Sequence, residues 1–235
     1  GGLLYLNDTD NRVGINSTNM GSLDADARNL VVGSGSGDQG LTVYSDGSSS
    51  GSIFFANGTS GAQTKQGQIV YEQNNSTMLL KTAANTAISM DGAGHVTQPL
   101  QSTFMTQQTG ALTVANTHTL FSTNTTERWD VNSDFSGSTF TAPVTGKYVL
   151  SVNVLWESVD SDTAFEARIT TSNRNYSMWR NNRDYVGGGT TYVYNGACVI
   201  ADMDASDTAH VVHIGPTAAV HVSGAWSWFS GYLLG

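Results

Sequence analysis

The sequence predicts an all-β protein built from two consecutive domains. Its 235 residues include 26 glycines and only 3 prolines beside many Ser, Thr and Asn residues, a composition typical of short strands joined by many turns. Apolar runs of about four residues fill the first part of the chain, and longer runs follow. We therefore predict a short-stranded domain over residues 1–101 and an antiparallel β-sandwich over residues 102–235.

The strands of the first domain are too short to build a core from one chain. Clusters of Gly, Asn, Asp and Ser separate them and mark turns. Such runs supply little apolar area to offset the entropy of ordering the chain, so we expect several intertwined chains to share one core. The predicted strands lie at 13–15, 29–32, 41–44, 52–55, 68–71, 78–81 and 87–90.

The second domain begins after Pro99, which interrupts strand pairing, and Phe104 starts a new apolar series. Between residues 147 and 156 every even position is apolar, whereas the odd positions include Lys147 and Ser151. This period of two places one face of a strand in a core. Further strands are predicted at 163–169, 190–200, 209–214 and 225–234.

Two phrases of the second domain carry a family resemblance. They are FTAPVTGKY at 140–148 and AWSWFSGYLLG at 225–235. Together they resemble the opening and closing signatures of the globular head of complement component one q, a relative of the tumour-necrosis-factor ligands. The resemblance implies a jelly-roll sandwich that forms compact trimers, binds through exposed loops and is not an enzyme.

The first domain resembles another group of proteins. The phrase NRVGI at 11–15 is similar to one that recurs in tail fibres of bacterial viruses, and residues 67–96 follow the companion pattern of those fibres. Asn16 departs from the pattern, because a glycine usually follows the isoleucine, and this puts the local turn in doubt. The resemblance implies a trimeric shaft or shoulder in a fibre.

Charge and composition exclude several functions. The net charge is −9 with only 10 Lys and Arg residues, which argues against binding of nucleic acid phosphates. No apolar run approaches the roughly 18 residues that span a bilayer, so we expect no membrane insertion. The single cysteine, Cys198, excludes an intrachain disulfide and is expected to be a small buried apolar residue.

The segment from 173 to 194 is the candidate receptor-binding surface. It combines aromatic rings, arginines and asparagines around three glycines at 187–189. Recognition loops use such residues to form hot spots or stack on sugars, so we expect a loop here. The alternative is that Trp179 covers the end of the sandwich, and we expect the tyrosines at 192 and 194 to be core residues. The receptor-binding candidates are Tyr176, Trp179, Arg180, Arg183 and Tyr185.

Two histidines and three aspartates are candidate metal ligands. His210 and His213 are three apart in a predicted strand, so they should point to opposite faces and share no metal ion. Asp202, Asp204 and Asp207 gather three carboxylates in one turn, where calcium binding and a solvated acidic turn both remain open. No other cofactor is expected.

These observations predict the distal part of a trimeric fibre on a bacterial-virus particle. Its partners would be two further copies of the chain, other tail or fibre proteins, and a glycan or protein receptor on the host surface. A structural decoration or collar fibre without a receptor is the alternative, and a glycan-cleaving tailspike is another. No catalytic residue is predicted, because no nucleophile beside a base and no carboxylate pair is legible.

Overall fold

A computed structural model describes residues 4–8, 11–17, 19–157, 164–181, 192–215, 217–220 and 226–235. Within these ranges the regular elements are β-strands and three short 3-10 helices, which confirms the all-β prediction. None of the described helices is long and apolar enough to cross a membrane. The chain divides into an N-terminal unit (residues 1–85 and 89–96) and a C-terminal unit (residues 86–88 and 97–235). The predicted boundary after residue 101 lies a few residues beyond this division and stays a prediction.

Short strands of the first hundred residues form two separate sheets. In the first sheet, β1 (Leu4–Asn7) pairs antiparallel with β2 (Arg12–Ile15), which pairs parallel with β3 (Leu30–Val32). The second sheet has the order β4 (Ser50–Phe55), β5 (Gly67–Glu72), β6 (Thr77–Thr82), β7 (Asn85–Met90) and β8 (Val96–Thr97). Two 3-10 helices lie at Met20–Ser22 and Gly61–Lys65.

The predicted strand at 41–44 is wrong, whereas the other six predicted runs lie in strands. No strand of the described residues pairs with 41–44. Tyr44 is 93% exposed, and Leu41 is exposed as well. An apolar run becomes a strand only where a neighbour accepts its backbone hydrogen bonds, and the part of the chain that the structure describes offers no such neighbour.

The turn after β2 explains the departure from the fibre pattern. Asn16 has a φ of 56°, in the left-handed region where glycine is favoured and asparagine is the best-tolerated replacement. Asn16 therefore adopts the left-handed backbone conformation that a glycine at this position would readily adopt. Gly14 is required for a different reason, because a Cβ there would collide with the carbonyl of Ser17 and lie 2.9 Å from Sδ of Met20.

The C-terminal unit contains thirteen strands among its described residues. Residues 131–133 form the third 3-10 helix. The strands are β9 (Thr103–Gln108), β10 (Leu112–Val114), β11 (His118–Thr119), β12 (Thr125–Asp130), β13 (Phe135–Ser136), β14 (Thr139–Thr141), β15 (Gly146–Glu157), β16 (Phe165–Thr171), β17 (Asn175–Asn181), β18 (Val193–Met203), β19 (Thr208–Ile214), β20 (Ala218–Val220) and β21 (Trp228–Leu233). All four additional strands predicted from the sequence are present.

These strands form two sheets of a sandwich. The front sheet has the order β12-β9-β21-β15-β18, with β20 beside the end of β15 and β10 beside β20. The back sheet has the order β13-β14-β19-β16-β17, with β11 also beside β19. The eight principal strands, in chain order, are β9, β14, β15, β16, β17, β18, β19 and β21. The first, eighth, third and sixth of these (β9, β21, β15 and β18) lie in the front sheet, and the second, seventh, fourth and fifth (β14, β19, β16 and β17) lie in the back sheet. This interleaving is the jelly roll.

The core lies between the two sheets. The even positions of β15 supply one wall of it, from Tyr148 to Trp156, and each of their side chains is buried, as the period of two predicts. Phe104 stacks on Phe140 with ring centroids 4.7 Å apart and meets Phe229 edge-on at 5.1 Å. The first, middle and last parts of this unit therefore share one aromatic cluster.

Candidate functional site

The predicted receptor-binding segment is in part a strand. Residues 175–181 form β17, the edge strand of the back sheet, whereas the sequence predicts a loop here. A β-bulge shifts its register, since Trp179 lies opposite Ala167 but Ser177 lies opposite Arg168. Met178 is the extra residue, and both Met178 and Trp179 pack against the core. Beyond the bulge the alternation of faces is inverted, which leaves Arg180 exposed.

Two of the five receptor candidates contribute to packing. The ring of Trp179 packs edge-on against Trp156 and Phe165, with ring centroids 5.0 and 5.2 Å apart. This packing agrees with the alternative interpretation, in which Trp179 covers the end of the sandwich. Tyr176 also packs against the core, and burial raises the pKa of its hydroxyl. Arg183 and Tyr185 lie outside the described residues. Receptor binding by these five residues stays a prediction, and Arg180 is the one whose described side chain is exposed.

Arg180 lines a cavity of about 500 Å³ on the back sheet. Glu166 lies opposite Arg180 in the strand register, and its carboxylate accepts a hydrogen bond from Nε of Arg168 at 2.8 Å. Glu166 is only 9% exposed. The lining residues are Asn116, Ala164, Phe165, Glu166, Arg168, Arg180, Ile214 and Gly215.

Glycine and asparagine shape one side of this cavity. Gly215 has a φ of 143°, and a Cβ there would lie 2.7 Å from Cβ of Phe165. Its backbone N–H donates to Oδ1 of Asn116 at 3.2 Å. Sequence reasoning missed Glu166, Asn116 and Gly215 as site residues. A prediction that β16 and β17 form a hairpin would have placed Glu166 opposite Arg180. No sequence signal connects Asn116 with the other cavity residues, which lie about fifty or more positions further along the chain.

The acidic turn after β18 is held by internal hydrogen bonds. Asp202 pairs with Nη2 of Arg174 at 2.7 Å. Asp207 accepts from the Asn173 amide at 2.7 Å and from the backbone N–H of Asp204 at 2.8 Å. The described residues contain no group of three or more His, Cys, Asp or Glu arranged to hold a metal ion. Calcium binding at these three aspartates stays a prediction.

The two histidines of β19 point to opposite faces, as their odd spacing predicts. His213 is completely buried, and its Nδ1 accepts a hydrogen bond from Nε1 of Trp156 at 3.2 Å. Because a tryptophan Nε1 can only donate, this bond requires an unprotonated Nδ1. His210 is half-buried on the other face, where burial lowers its pKa.

We expect the protein to lose stability as the pH falls from 7.5 to 5.5. A histidine with a lowered folded-state pKa stabilises the fold above its unfolded value of about 6.5, and this contribution declines as acid protonates the unfolded chain. The measurement is thermal unfolding at both pH values. His210→Gln should reduce the pH dependence. Equal pH dependence in the wild type and His210→Gln would contradict the assignment.

The central part of the outward face of the front sheet is uncharged. Register places three rows of four residues across β18, β15, β21 and β9, without Asp, Glu, Lys, Arg or His among them. Ile200 is 59% exposed, and Tyr194 and Tyr232 are exposed as well. Tyr192 is also exposed, so the core prediction is wrong for both Tyr192 and Tyr194. The rows are Ile200, Val149, Tyr232 and Thr103; Cys198, Ser151, Ser230 and Met105; and Gly196, Asn153, Trp228 and Gln107.

Cys198 corrects a second expectation, because it is exposed in the middle row of this uncharged face. Its strand alternates between core and surface, and the even positions of β18 turn outward. The polar Asn153 is buried within the face, where its amide donates to the carbonyl of Trp226 at 3.1 Å and to the hydroxyl of Tyr194. The amide of Asn153 is therefore satisfied by hydrogen bonds within the face.

The N-terminal unit also leaves much apolar surface uncovered. Among its described residues, Met20, Val70 and Leu79 are the buried hydrophobic side chains. Exposed large ones are far more numerous and include Leu4, Leu6, Leu30, Leu41, Tyr44, Phe54 and Phe55. So few buried and so many exposed apolar side chains are unusual for a unit that remains a monomer.

No model of a protein family matches the sequence, and no curated protein matches it. Three solved structures are similar over 57% of this chain. They are Eiger TNF from S. frugiperda (12% identity, 93% of that chain, TM-score 0.45), the globular domain of zebrafish complement 1qA protein (12%, 98%, 0.42) and murine APRIL (13%, 99%, 0.42). At these TM-scores we take no function from them, and the assignment of the jelly roll rests on the strand pairing described above.

Proposed function

We propose that this chain is the distal part of a homotrimeric fibre of a bacterial virus, and that its C-terminal jelly roll attaches the particle to the host surface. The proposal describes binding rather than catalysis. Among the described residues that line the back-sheet cavity, Glu166 is the single carboxylate, whereas glycoside hydrolysis ordinarily needs two.

The uncharged face of the front sheet is the observation that carries the proposal of self-association. A face with Ile200, Tyr232 and Tyr194 exposed is expected to be covered. A second copy of the same chain is the occupant we favour, because the exposed apolar side chains of the N-terminal unit need the same kind of cover. Charge-free centres are also typical of interfaces between identical subunits.

A trimer and a viral origin are supported by the sequence phrases. The signatures at 140–148 and 225–235 resemble heads that form trimers, and residues 11–15 and 67–96 resemble tail fibres. Asn16 fits the fibre pattern at the level of backbone conformation, since it occupies the left-handed region expected of the usual glycine.

The position of the cavity within the C-terminal unit supports attachment. The chain enters this unit at one end of the front sheet, where Thr103 lies opposite Tyr232. The cavity lies at the other end of the strands, beside Phe165 at the start of β16 and Ile214 at the end of β19. In a fibre that end would face the host. Three such heads per fibre would turn weak contacts into durable adhesion.

Sedimentation of the purified chain followed by adsorption to a panel of bacterial cells tests the proposal. We expect a particle of three times 24.9 kDa that binds one or more hosts saturably. A monomer would overturn the proposal of self-association. A trimer that binds none of the hosts would support a structural decoration or collar fibre instead, and shortening of a host polysaccharide on incubation would support a tailspike.

A further inference from the structure

We infer that the cavity beside Arg180 binds a sugar that carries a carboxylate, such as a uronic acid. The inference rests on the proposed attachment function and names the chemistry of the receptor group. It depends on four features of the cavity: a guanidinium without an ion-pair partner among the described residues, a second guanidinium that is only partly engaged, an oriented carboxylate and an apolar wall.

The guanidinium of Arg180 is available to an anion. Among the described residues no carboxylate lies within ion-pair distance of it. Glu166, its opposite neighbour in the register, is engaged by Arg168 instead. A free arginine at the wall of a cavity can form two parallel hydrogen bonds with a carboxylate.

Glu166 distinguishes a sugar acid from a simpler anion. Its carboxylate is largely buried and is oriented by Nε of Arg168 at 2.8 Å. An oxygen held in this way accepts hydrogen bonds from hydroxyl groups but repels a doubly charged phosphate. The two arginines and one glutamate leave a net charge of one positive unit in the cavity, which matches one carboxylate on a hydroxyl-rich ligand.

The remaining walls suit a ring with polar edges. Phe165 and Ile214 contribute apolar surface for the C–H face of a sugar. The amide of Asn116 uses its oxygen to accept from Gly215, so the NH₂ group is a donor for a ligand hydroxyl. A volume of about 500 Å³ falls in the usual range of small-molecule sites, roughly 300–1,000 Å³.

Titration of the full chain with glucuronic acid, glucose and inorganic phosphate tests this inference. Glucuronic acid and glucose differ by one carboxylate, so their ratio isolates the arginine contacts. We expect glucuronic acid to bind at least about tenfold more tightly than glucose and than phosphate. Equal affinity for glucose would overturn the inference, as would preference for phosphate or the absence of saturable binding of glucuronic acid.

Substitutions assign the effect to the cavity. Arg180→Ala should weaken glucuronic acid binding at least about tenfold. Arg174→Ala should leave it unchanged, because Arg174 pairs with Asp202 outside the lining residues. Unchanged binding by Arg180→Ala would overturn the inference.

Adsorption to cells separates this inference from the proposed function. A chain that adsorbs to host cells equally well with and without Arg180→Ala would keep the attachment proposal and overturn the inference about its receptor. A chain that binds glucuronic acid through Arg180 but adsorbs to no cell would keep the sugar-acid site and overturn attachment.

Discussion

Replacing Ile200 by glutamate is expected to leave the protein as separate subunits. Ile200 lies in the outer row of the uncharged face, is 59% exposed and has the uncharged Val149 opposite it in β15. Burying a carboxylate in such an interface without a partner costs several kcal/mol, and we expect at least about 3 kcal/mol per subunit. Since each added copy would bring its own carboxylate, sedimentation should show the mass of one chain.

Val144→Glu is the matched control for this experiment. Val144 is also an exposed apolar residue of the C-terminal unit, but it lies in the turn between β14 and β15, outside the three rows of the face. It should leave the trimer intact. Circular dichroism of both variants checks that the strands remain folded, and a trimer of Ile200→Glu would contradict the proposed interface.

Replacing Phe104 by alanine is expected to cause the largest loss of folding stability. The ring of Phe104 is completely buried and contacts Phe135, Phe140 and Phe229, with centroids 4.7 to 5.1 Å apart. Removing it leaves a cavity at the centre of the aromatic cluster. Such changes cost about 3–5 kcal/mol of unfolding free energy, which urea denaturation should detect.

Phe104→Leu provides the comparison for this prediction. Leucine keeps most of the apolar volume, so its cost should be clearly smaller than that of alanine. A loss below about 1 kcal/mol for Phe104→Ala, on the scale expected of surface positions, would mean that the cluster is not the centre of the core.

Regular alternation made the sandwich predictable from sequence. In the strand from 146 to 157 the even side chains from Tyr148 to Trp156 all face the core, although Asn153 and Leu155 on the other face are buried as well. The apolar run at 41–44 has an equally suggestive composition but forms no strand. The composition of a segment indicates how much apolar surface it can bury. Whether the segment becomes a strand also depends on a neighbouring strand elsewhere in the chain, and the segment's own residues do not identify that neighbour.

The receptor segment and the cavity were less predictable for a specific reason. The bulge at Met178 interrupts the alternation of β17, so a strand looked like a loop rich in aromatics and arginines. Arg180 could still be selected by residue type. Its neighbours in the cavity come from β16, from the end of β19 and from residue 116, and only the folded topology brings these segments together.

The pairing of the first and last strands has a consequence for how the jelly roll forms. β21 lies between β9 and β15, so β9 can pair with β12 early, but it is joined to β15 only when residues 228–233 insert between them. Contacts that are so distant in sequence slow folding, because a long loop must close before they form. The front sheet is therefore complete only once residues 228–233 have joined it. Loss of these last residues would split that sheet in two.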